Sequence, residues 1–448
     1  MTVTVFLVLF LVWYWIKARS IEAAMLDWFL PCYLFLPAYY GYRLPHLPGL
    51  TFAFAAIIPI AIAVLIRYGK EWKFTRSDLW LAIFVVGASI TELLHSDPGT
   101  AGLIFFDNLF SSVMPYIVGK LLLERNDMRE RFVRRFVYLS AFIALISVWE
   151  FRMGTNLFAK IEGMLFGWGG FVAQLRGGFV RVSASYGGCE QAGAMFGAAF
   201  VLGIWLASIE RNKPDEKKYL GLRRSTLIVL LACAGIFMAN SRGPEVGAVA
   251  GFLIGRIGQA KNIRMTAIAT FLLLAVGGGI AYVRVMQYSS GSIWDAKDKA
   301  QEDAIYRRAL LDEYKPYIRA GGLLGYGVVE RPVVPGMFSI DNAFLNIQLI
   351  QGNLGLWTYI LMYGETFLAS FLAARRATQR SDILFATCMA GAMAGLMLTL
   401  TTLWMGPPMS SLFFLLLGWS QSLRQTESVT VTAPQPVRAR FSFRRVVA

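Results

Sequence analysis

The segment FMANSRGPEVGAVAGF, residues 237–252, is the clearest structural signal in the sequence. One apolar helix ends near Asn240, the chain turns at once, and Pro244 and Glu245 are residues typical of the first turn of a second apolar helix. So short a turn between two apolar helices indicates a membrane hairpin. Arg242 lies in this turn. Because the turn is so short, the Arg242 side chain has little access to an aqueous loop, and its charge is expected to be stabilised by a protein partner or a ligand.

The composition of the whole chain agrees with a membrane protein. Of its 448 residues, 56% are hydrophobic and only 16% are charged, and the mean hydropathy is +0.53. A soluble chain needs more polar side chains to cover its surface. The net charge of +15 is divided among short clusters between apolar runs, so it signals topology and not a nucleic-acid partner.

Apolar runs of membrane-spanning length predict an all-α polytopic membrane protein with about 12–13 transmembrane helices. The predicted spans are 2–16, 26–42, 50–66, 79–95, 102–119, 132–150, 190–208, 225–240, 244–257, 265–283, 343–373, 383–402 and 408–423. Basic clusters in alternate connections predict an external N-terminus and a cytoplasmic C-terminus. Residues 1–424 are therefore expected to form a single transmembrane domain, followed by a basic cytoplasmic tail, 425–448.

Two external segments are long enough to carry function: 151–189 and 284–342. In the second, EDAIYRRALLDEYKPYIRAGG places charges on other faces of a helix and apolar residues near one face: Ile305, Leu310, Tyr314, Tyr317 and Ile318. This pattern predicts one or two amphipathic helices in a large external loop.

Charged residues at the external ends of helices are candidates for a functional site, because a membrane protein must stabilise them with a partner, water or a ligand. Arg181 lies shortly before an apolar span and Glu190 lies at its start, in LRGGFVRVSASYGGCEQAGAMFGAAF. In a purely structural alternative, Arg181 reaches lipid head groups and Glu190 stabilises the helix N-terminus.

The long external loop adds Arg307, Arg308 and Asp341. Adjacent residues of a helix point in different directions, so one arginine at most faces a site. The alternative is surface pairing with Asp303, Asp312 or Glu313. Asp341 precedes an apolar segment and is either a helix cap or a proton acceptor.

Arginines gathered on one face indicate an anionic ligand such as phosphate. The sequence shows no nucleotide fingerprint, no metal-binding motif and no Ser/His/Asp set, so no metal or other cofactor is expected.

Five elements in a fixed order resemble the O-antigen ligase and Wzy-type polysaccharide polymerase superfamily of bacterial inner-membrane glycosyltransferases. They are RVSASYGG (181–188), SRG (241–243), YRRALLDEY (306–314), LLGYG (323–327) and DNAFLNIQLIQGNLGL (341–356). The resemblance covers roughly residues 100–420. It implies about a dozen transmembrane helices, a large periplasmic loop and metal-independent transfer of glycan from an undecaprenyl-diphosphate carrier.

The same resemblance implies site residues. Arg181, Arg242 and either Arg307 or Arg308 match arginines that hold the diphosphate, and Asp341 stands where ligases tend to have histidine. An Asp-Asn pair at this position is more similar to the exopolysaccharide polymerase branch.

A second departure from the family pattern lies at Glu190 and Gln191, which replace a frequent Pro-Asn pair. The expected proton acceptor is therefore Asp341 or Glu190.

The expected function is polymerisation of lipid-linked oligosaccharide repeat units into an exopolysaccharide at the periplasmic face of the inner membrane. The expected partners are the lipid-linked oligosaccharide and membrane lipids, with polysaccharide-export and chain-length machinery as further candidates. Ligase-like transfer to a lipid or protein acceptor, a transporter or flippase of an anionic or lipid-linked substrate, and a purely structural membrane protein stay open. A transporter should bury charges near the bilayer midplane, whereas most notable charges here, Asp107 excepted, lie toward the outer side.

Overall fold

The computed structural model describes residues 4–42, 48–167, 171–211, 217–219, 221–337 and 339–425, with the backbone alone for residues 293 and 425. The α-helices are α1 Thr4–Ala18, α2 Ile21–Ala24, α3 Leu30–Phe35, α4 Phe52–Tyr68, α5 Arg76–His95, α6 Pro98–Asn108, α7 Met114–Leu122, α8 Met128–Met153, α9 Leu157–Phe166, α10 Cys189–Glu210, α11 Arg224–Ala239, α12 Arg242–Arg256, α13 Ile263–Tyr288, α14 Lys299–Gly321, α15 Ala343–Arg376, α16 Arg380–Leu400 and α17 Pro407–Gln425. Short antiparallel hairpins pair β1 Gly41–Tyr42 with β2 Leu50–Thr51, β3 Gln174–Arg176 with β4 Phe179–Arg181, and β5 Lys218–Tyr219 with β6 Leu222–Arg223. Most of the predicted tail lies outside the described residues.

The helices confirm an all-α, multi-pass membrane protein, and each predicted span overlaps a helix. Among the described residues, seven helices are long and apolar enough to cross a membrane: Phe52–Glu71, Arg76–His95, Pro98–Leu122, Met128–Met153, Cys189–Glu210, Ile263–Tyr288 and Arg380–Leu400. Thr4–Ala18 and Arg224–Ala239 are shorter apolar helices. The count of 12–13 spans stays a prediction.

Several of the predicted inner loops meet at one end of the bundle. An Arg129 guanidinium nitrogen lies 2.6 Å from a carboxylate oxygen of Asp382, and Arg134 Nε lies 3.0 Å from Glu210 Oε1. We call this the Arg129 end, and the opposite end, which carries the α11–α12 turn, the Asn240 end. The grouping agrees with the alternation of basic loops in the sequence.

Helices α12 and α16 pack with their backbones in direct contact. A Cβ on Gly247 would lie 2.4 Å from the carbonyl oxygen of Gly395, and one on Gly251 would lie 2.7 Å from that of Gly391. The four-residue spacing puts each glycine pair on one helical face, and small residues there let membrane helices approach closely. This packing holds the start of α12 in place.

Helices α7 and α17 cross in the same way. A Cβ on Gly119 would lie 2.1 Å from the carbonyl oxygen of Leu415, and one on Gly418 would lie 2.1 Å from that of Tyr116. Glycine at both positions lets the two backbones touch.

Gly119→Ala is therefore expected to lower the stability of the protein by about 1–3 kcal/mol, because the added methyl must push two packed backbones apart. The matched control is Gly278→Ala on α13, where nothing lies within 4 Å of the new Cβ and alanine is the better helix former. Thermal unfolding of the purified protein in detergent measures both variants. Equal melting temperatures would contradict the close crossing.

Helix α15 folds back on itself at Gly352, where φ is 61° and ψ is −159°. The ring of Phe344 lies 5.5 Å from that of Tyr359, whereas a straight helix would separate these two positions by about 22 Å. The predicted span 343–373 is therefore two helical segments joined at Gly352. The physical reason is Gly352, which lacks a Cβ and so adopts the positive φ that the bend requires.

The segment predicted as a long external loop differs from its prediction at one boundary. Helix α13 continues to Tyr288, so the segment between helices begins at residue 289 and not at 284. The amphipathic helix is confirmed as α14, and Ile305, Leu310 and Tyr314 of its predicted face are buried. Ile318 is only partly buried and Tyr317 is exposed. The other predicted external segment, 151–189, holds α9 and the β3–β4 hairpin.

Glu162 on α9 is a buried carboxylate with a raised pKa. Its Oε2 atom accepts a hydrogen bond of 3.2 Å from the Tyr39 hydroxyl, and its Oε1 atom has no partner among the described residues. Burial raises the pKa of the carboxyl from 4.5 to about 7, and the Tyr39 hydrogen bond opposes this only in part.

This pKa predicts a stability that falls as the pH rises. The unfolded chain loses the Glu162 proton near pH 4.5, whereas the folded chain keeps it to about pH 7. The free energy of unfolding therefore falls as the pH rises between these two values, and it stops falling above about pH 7. The melting temperature of the wild type minus that of Glu162→Gln, measured in detergent, should decline between these two pH values. A difference that is constant with pH would contradict the assignment.

Candidate functional site

The site is built around the turn between α11 and α12. Asn240 has a left-handed backbone, with φ of 46°, and its carbonyl oxygen accepts hydrogen bonds from Arg181 Nε at 3.2 Å and from an Arg176 guanidinium nitrogen at 3.3 Å. The Asn240 side-chain amide donates to the carbonyl oxygen of Arg176 at 3.1 Å. The β3–β4 hairpin is therefore docked directly on the turn that the sequence singled out.

Arg181 is the buried centre of this contact, with only 8% of its surface exposed. One guanidinium nitrogen lies 2.7 Å from Glu190 Oε1 and another donates to Gln174 Oε1 at 3.0 Å. The structure thus brings two predicted site residues, Arg181 and Glu190, together. The Glu190 carboxylate is committed to holding Arg181, which leaves it less available as a proton acceptor for a substrate.

Arg176 is a site residue that the sequence reasoning missed. A guanidinium nitrogen of Arg176 lies 3.2 Å from Asp303 Oδ2, so it ties α14 to the hairpin. The signal was the Gly177–Gly178 dipeptide, which is typical of a two-residue β-turn. In the observed register, Arg176 and Arg181 lie on the same face of the hairpin.

The two loop arginines have different surroundings. Arg308 donates to the carbonyl oxygen of Met286 at 3.1 Å and so anchors α14 to the end of α13. Arg307 is half-buried, makes no hydrogen bond or ion pair within the described ranges, and lies one turn beyond Asp303 on the same face of α14. Asp303 itself pairs with Arg176, and Asp312 pairs with Lys315 at 2.5 Å.

Arg242 is exposed at the first position of α12. The pKa of Asp298 is lowered first by the backbone N–H of Gln301 and then by the Tyr288 hydroxyl, and the positive charge of Arg242 adds to the effect. The Arg242 guanidinium therefore lies near the end of α13. Within the part of the chain that the structure describes, it forms no hydrogen bond or ion pair.

The glycine of the SRG turn has a packing role. A Cβ on Gly243 would lie 2.0 Å from Thr402 Oγ1, so only glycine lets α12 begin against the end of α16. This contact fixes the position of the start of α12, which carries Arg242, against the end of α16.

An apolar groove of about 1690 Å³ runs between α13 and the faces of α12, α15 and α16. We call it the lateral groove, since only 6% of the apolar part of α13 is buried and this helix stands away from the bundle. Val246, Val249 and Leu253 line the groove from α12, and helical spacing puts Arg242 on the same face, one turn before Val246. The groove is thus an apolar channel whose lining at the Asn240 end includes Glu245, with Arg242 just beyond this lining at the start of α12.

Asp341 stands just before α15 but does not cap it. The Asn342 side chain accepts from the backbone N–H of Leu345 at 3.1 Å, so the cap expected at Asp341 is one residue later. The Ser339 hydroxyl donates to Asp341, and the Tyr306 hydroxyl donates to the Ser339 carbonyl at 2.9 Å. Asp341 therefore lies beside the turn of α14 that carries Arg307.

The described residues give these groups two distinct placements. Arg181 pairs with Glu190 and bonds to Asn240 in the α11–α12 turn that Arg242 follows, whereas Asp341 makes no hydrogen bond or ion pair with any of the four candidate arginines among the described residues. Chemically, the turn can neutralise an anion, and Asp341 can accept a proton nearby.

The described residues contain no group of three or more His, Cys, Asp or Glu side chains arranged to hold a metal ion. In comparisons with known proteins, the chain matches no protein-family model and no curated protein.

Proposed function

We propose that this chain polymerises undecaprenyl-diphosphate-linked oligosaccharide repeat units into an exopolysaccharide at the periplasmic face of a bacterial inner membrane. The observation that carries the proposal is the position of Arg242, an exposed cation that forms no ion pair among the described residues, one helical turn before Val246 in the lining of the lateral groove. An apolar channel that ends at a cation suits an amphiphile with a long hydrocarbon chain and an anionic head.

The orientation follows the charge distribution. The basic loops gather at the Arg129 end, so in this proposal that end and the C-terminus face the cytoplasm. The Asn240 end then faces the periplasm, where a lipid carrier would present its diphosphate to Arg242 and its tail to the lateral groove.

In the proposed reaction, a sugar hydroxyl oxygen forms a bond to the anomeric carbon of the donor. The bond from that carbon to the diphosphate oxygen breaks, and the lipid diphosphate leaves with the electron pair. Asp341 accepts the hydroxyl proton, while Arg242, Arg181 and Arg307 neutralise the charge that develops on the diphosphate. Diphosphate is already a good leaving group, so no acid is needed on that side.

The contacts of the two candidate carboxylates favour different roles. Glu190 is held by Arg181, so we assign it the role of keeping that guanidinium in place. Asp341 has only a serine hydroxyl as its side-chain partner among the described residues, which leaves it available to a substrate.

A transporter of the same lipid-linked substrate is the second candidate, because helix α15 is broken at Gly352 and broken helices are common at transporter binding sites. The two proposals differ in their product, since only the polymerase forms a glycosidic bond.

The deciding experiment is reconstitution of the protein in proteoliposomes with lipid-linked oligosaccharide. Chain length is measured by gel electrophoresis and mass spectrometry, and the sidedness of the lipid by a membrane-impermeant reagent. We expect longer chains that stay attached to the lipid. Movement of the lipid without any new glycosidic bond would favour the transporter, and transfer only to an added lipid or protein acceptor would favour a ligase.

A further inference from the structure

The bend in α15 is closed by another part of the chain. A helix that breaks leaves carbonyl oxygens unpaired on one side and N–H groups unpaired on the other, and both are costly away from water. Residues 322–327 supply the missing partners, and we call them the clasp loop. The bonds, of 2.9–3.0 Å, run from Tyr326 N to Leu349 O, from Gly327 N to Ile350 O, from Asn353 N to Gly322 O and from Leu354 N to Leu323 O.

Two glycines make this contact possible. A Cβ on Gly352 would lie 2.3 Å from the carbonyl oxygen of Leu323, and one on Gly325 would lie 2.4 Å from the backbone nitrogen of Gly352. Both residues also have a positive φ, which L-residues with side chains rarely adopt. Gly325 of LLGYG and Gly352 of QGNLG are therefore explained by the approach of two backbones.

Helix α5 holds the clasp loop from the side. Glu92 is completely buried, and its two carboxylate oxygens accept from the backbone N–H groups of Val328 at 2.6 Å and Val329 at 3.4 Å. The Thr91 hydroxyl donates to the carbonyl oxygen of Leu324 at 2.8 Å. A buried carboxylate in a membrane helix is costly, and among the described residues Glu92 has no cation beside it, only these backbone donors.

The segment of α15 before Gly352 connects this contact to the candidate site. Leu345 and Leu349 pack with Leu310 and Tyr314 of α14 in one apolar cluster, and the segment begins directly after Asp341. The position of Asp341 therefore depends on how sharply α15 folds back.

We propose that Glu92 is a positioning residue: it fixes the clasp loop, and through the bend at Gly352 it sets where Asp341 stands relative to the arginines. This inference rests on the proposed function for the role of Asp341. Glu92 contacts neither Asp341 nor any of the four candidate arginines in the described structure.

The test compares Glu92→Leu and Glu92→Gln with the wild type in two measurements. Glu92→Leu removes both acceptors, whereas Glu92→Gln keeps one, so the leucine variant should show the larger effects. The control is Glu210→Gln, a buried carboxylate of α10 that pairs with Arg134 at the Arg129 end.

The first measurement is amide hydrogen exchange followed by mass spectrometry. In Glu92→Leu we expect exchange at least about 10-fold faster in peptides that cover residues 322–329 and 345–355, with α12 and α16 unchanged, because loss of the anchor favours local opening. Unchanged exchange at these peptides, or an equal increase over the whole chain, would overturn the inference.

The second measurement is the kinetics of chain elongation. We expect kcat to fall about 10- to 100-fold in Glu92→Leu, because a shift of about 1 Å in a catalytic group has effects of this size. The KM for the lipid-linked donor should stay the same, since the arginines are untouched. Local opening with an unchanged kcat would overturn the positioning role. If the wild type makes no glycosidic bond, the proposed function fails, while the exchange data still report on the clasp loop.

Discussion

Arg242→Ala is expected to lower the rate of chain elongation about 100- to 1000-fold, the usual cost of removing one fixed group that stabilises developing negative charge. Arg242 is exposed at the start of α12 and forms no ion pair within the described ranges, so the substitution breaks no contact that holds the fold. The melting temperature should therefore stay within about 1–2 °C of the wild type. The measurement is the initial rate with saturating lipid-linked donor in proteoliposomes.

Two further variants sharpen this prediction. Arg242→Lys keeps the charge but loses the two-pronged hydrogen bonding of a guanidinium, so its rate should lie between those of the wild type and Arg242→Ala. Arg152→Ala removes another exposed arginine, at the end of α8, and should elongate chains at the wild-type rate. An Arg242→Ala protein with wild-type activity would remove the main support for the diphosphate site.

Arg181→Met is expected to lower both stability and activity. It leaves the Glu190 carboxylate without its partner at 2.7 Å and removes a hydrogen bond that holds the hairpin to Asn240. Breaking a buried ion pair on one side costs about 3 kcal/mol. We expect a clearly lower melting temperature, together with loss of chain elongation.

The double variant Arg181→Met/Glu190→Met separates the two effects. It removes the unpaired carboxylate, so most of the lost stability should return, because replacing both members of a buried pair is far less costly than removing one. Activity should stay absent, since the guanidinium is still missing. A double variant that is as unstable as the single one would show that the Glu190 charge is not the cause, and a double variant with wild-type activity would exclude Arg181 from the site.

Local signals in the sequence were sufficient for the membrane helices. Apolar runs of the right length and basic clusters between them depend only on neighbouring residues and on the bilayer, and each predicted span overlaps a helix. The amphipathic pattern likewise identified α14 and three buried residues of its apolar face, Ile305, Leu310 and Tyr314, although it also included the exposed Tyr317. These features need no knowledge of what lies across the bundle.

The arrangement of the candidate site was only partly visible in this way. The sequence singled out Arg181, Glu190 and Arg242, because charges at the ends of apolar helices stand out one by one. It missed Arg176, whose importance comes from its partners Asn240 and Asp303, far away along the chain.

What the sequence by itself determined is the class of the protein, the approximate bounds of its helices and the charges at their ends, since these follow from hydropathy and local spacing. Only the tertiary structure decided that α15 bends at Gly352, that the clasp loop and Glu92 hold this bend, and that the lateral groove is lined from Glu245 and Val246 onward, next to Arg242. The physical reason is that backbone groups and charges in a membrane must find partners inside the protein. Those partners are distant in the sequence, so a local sequence pattern cannot identify them.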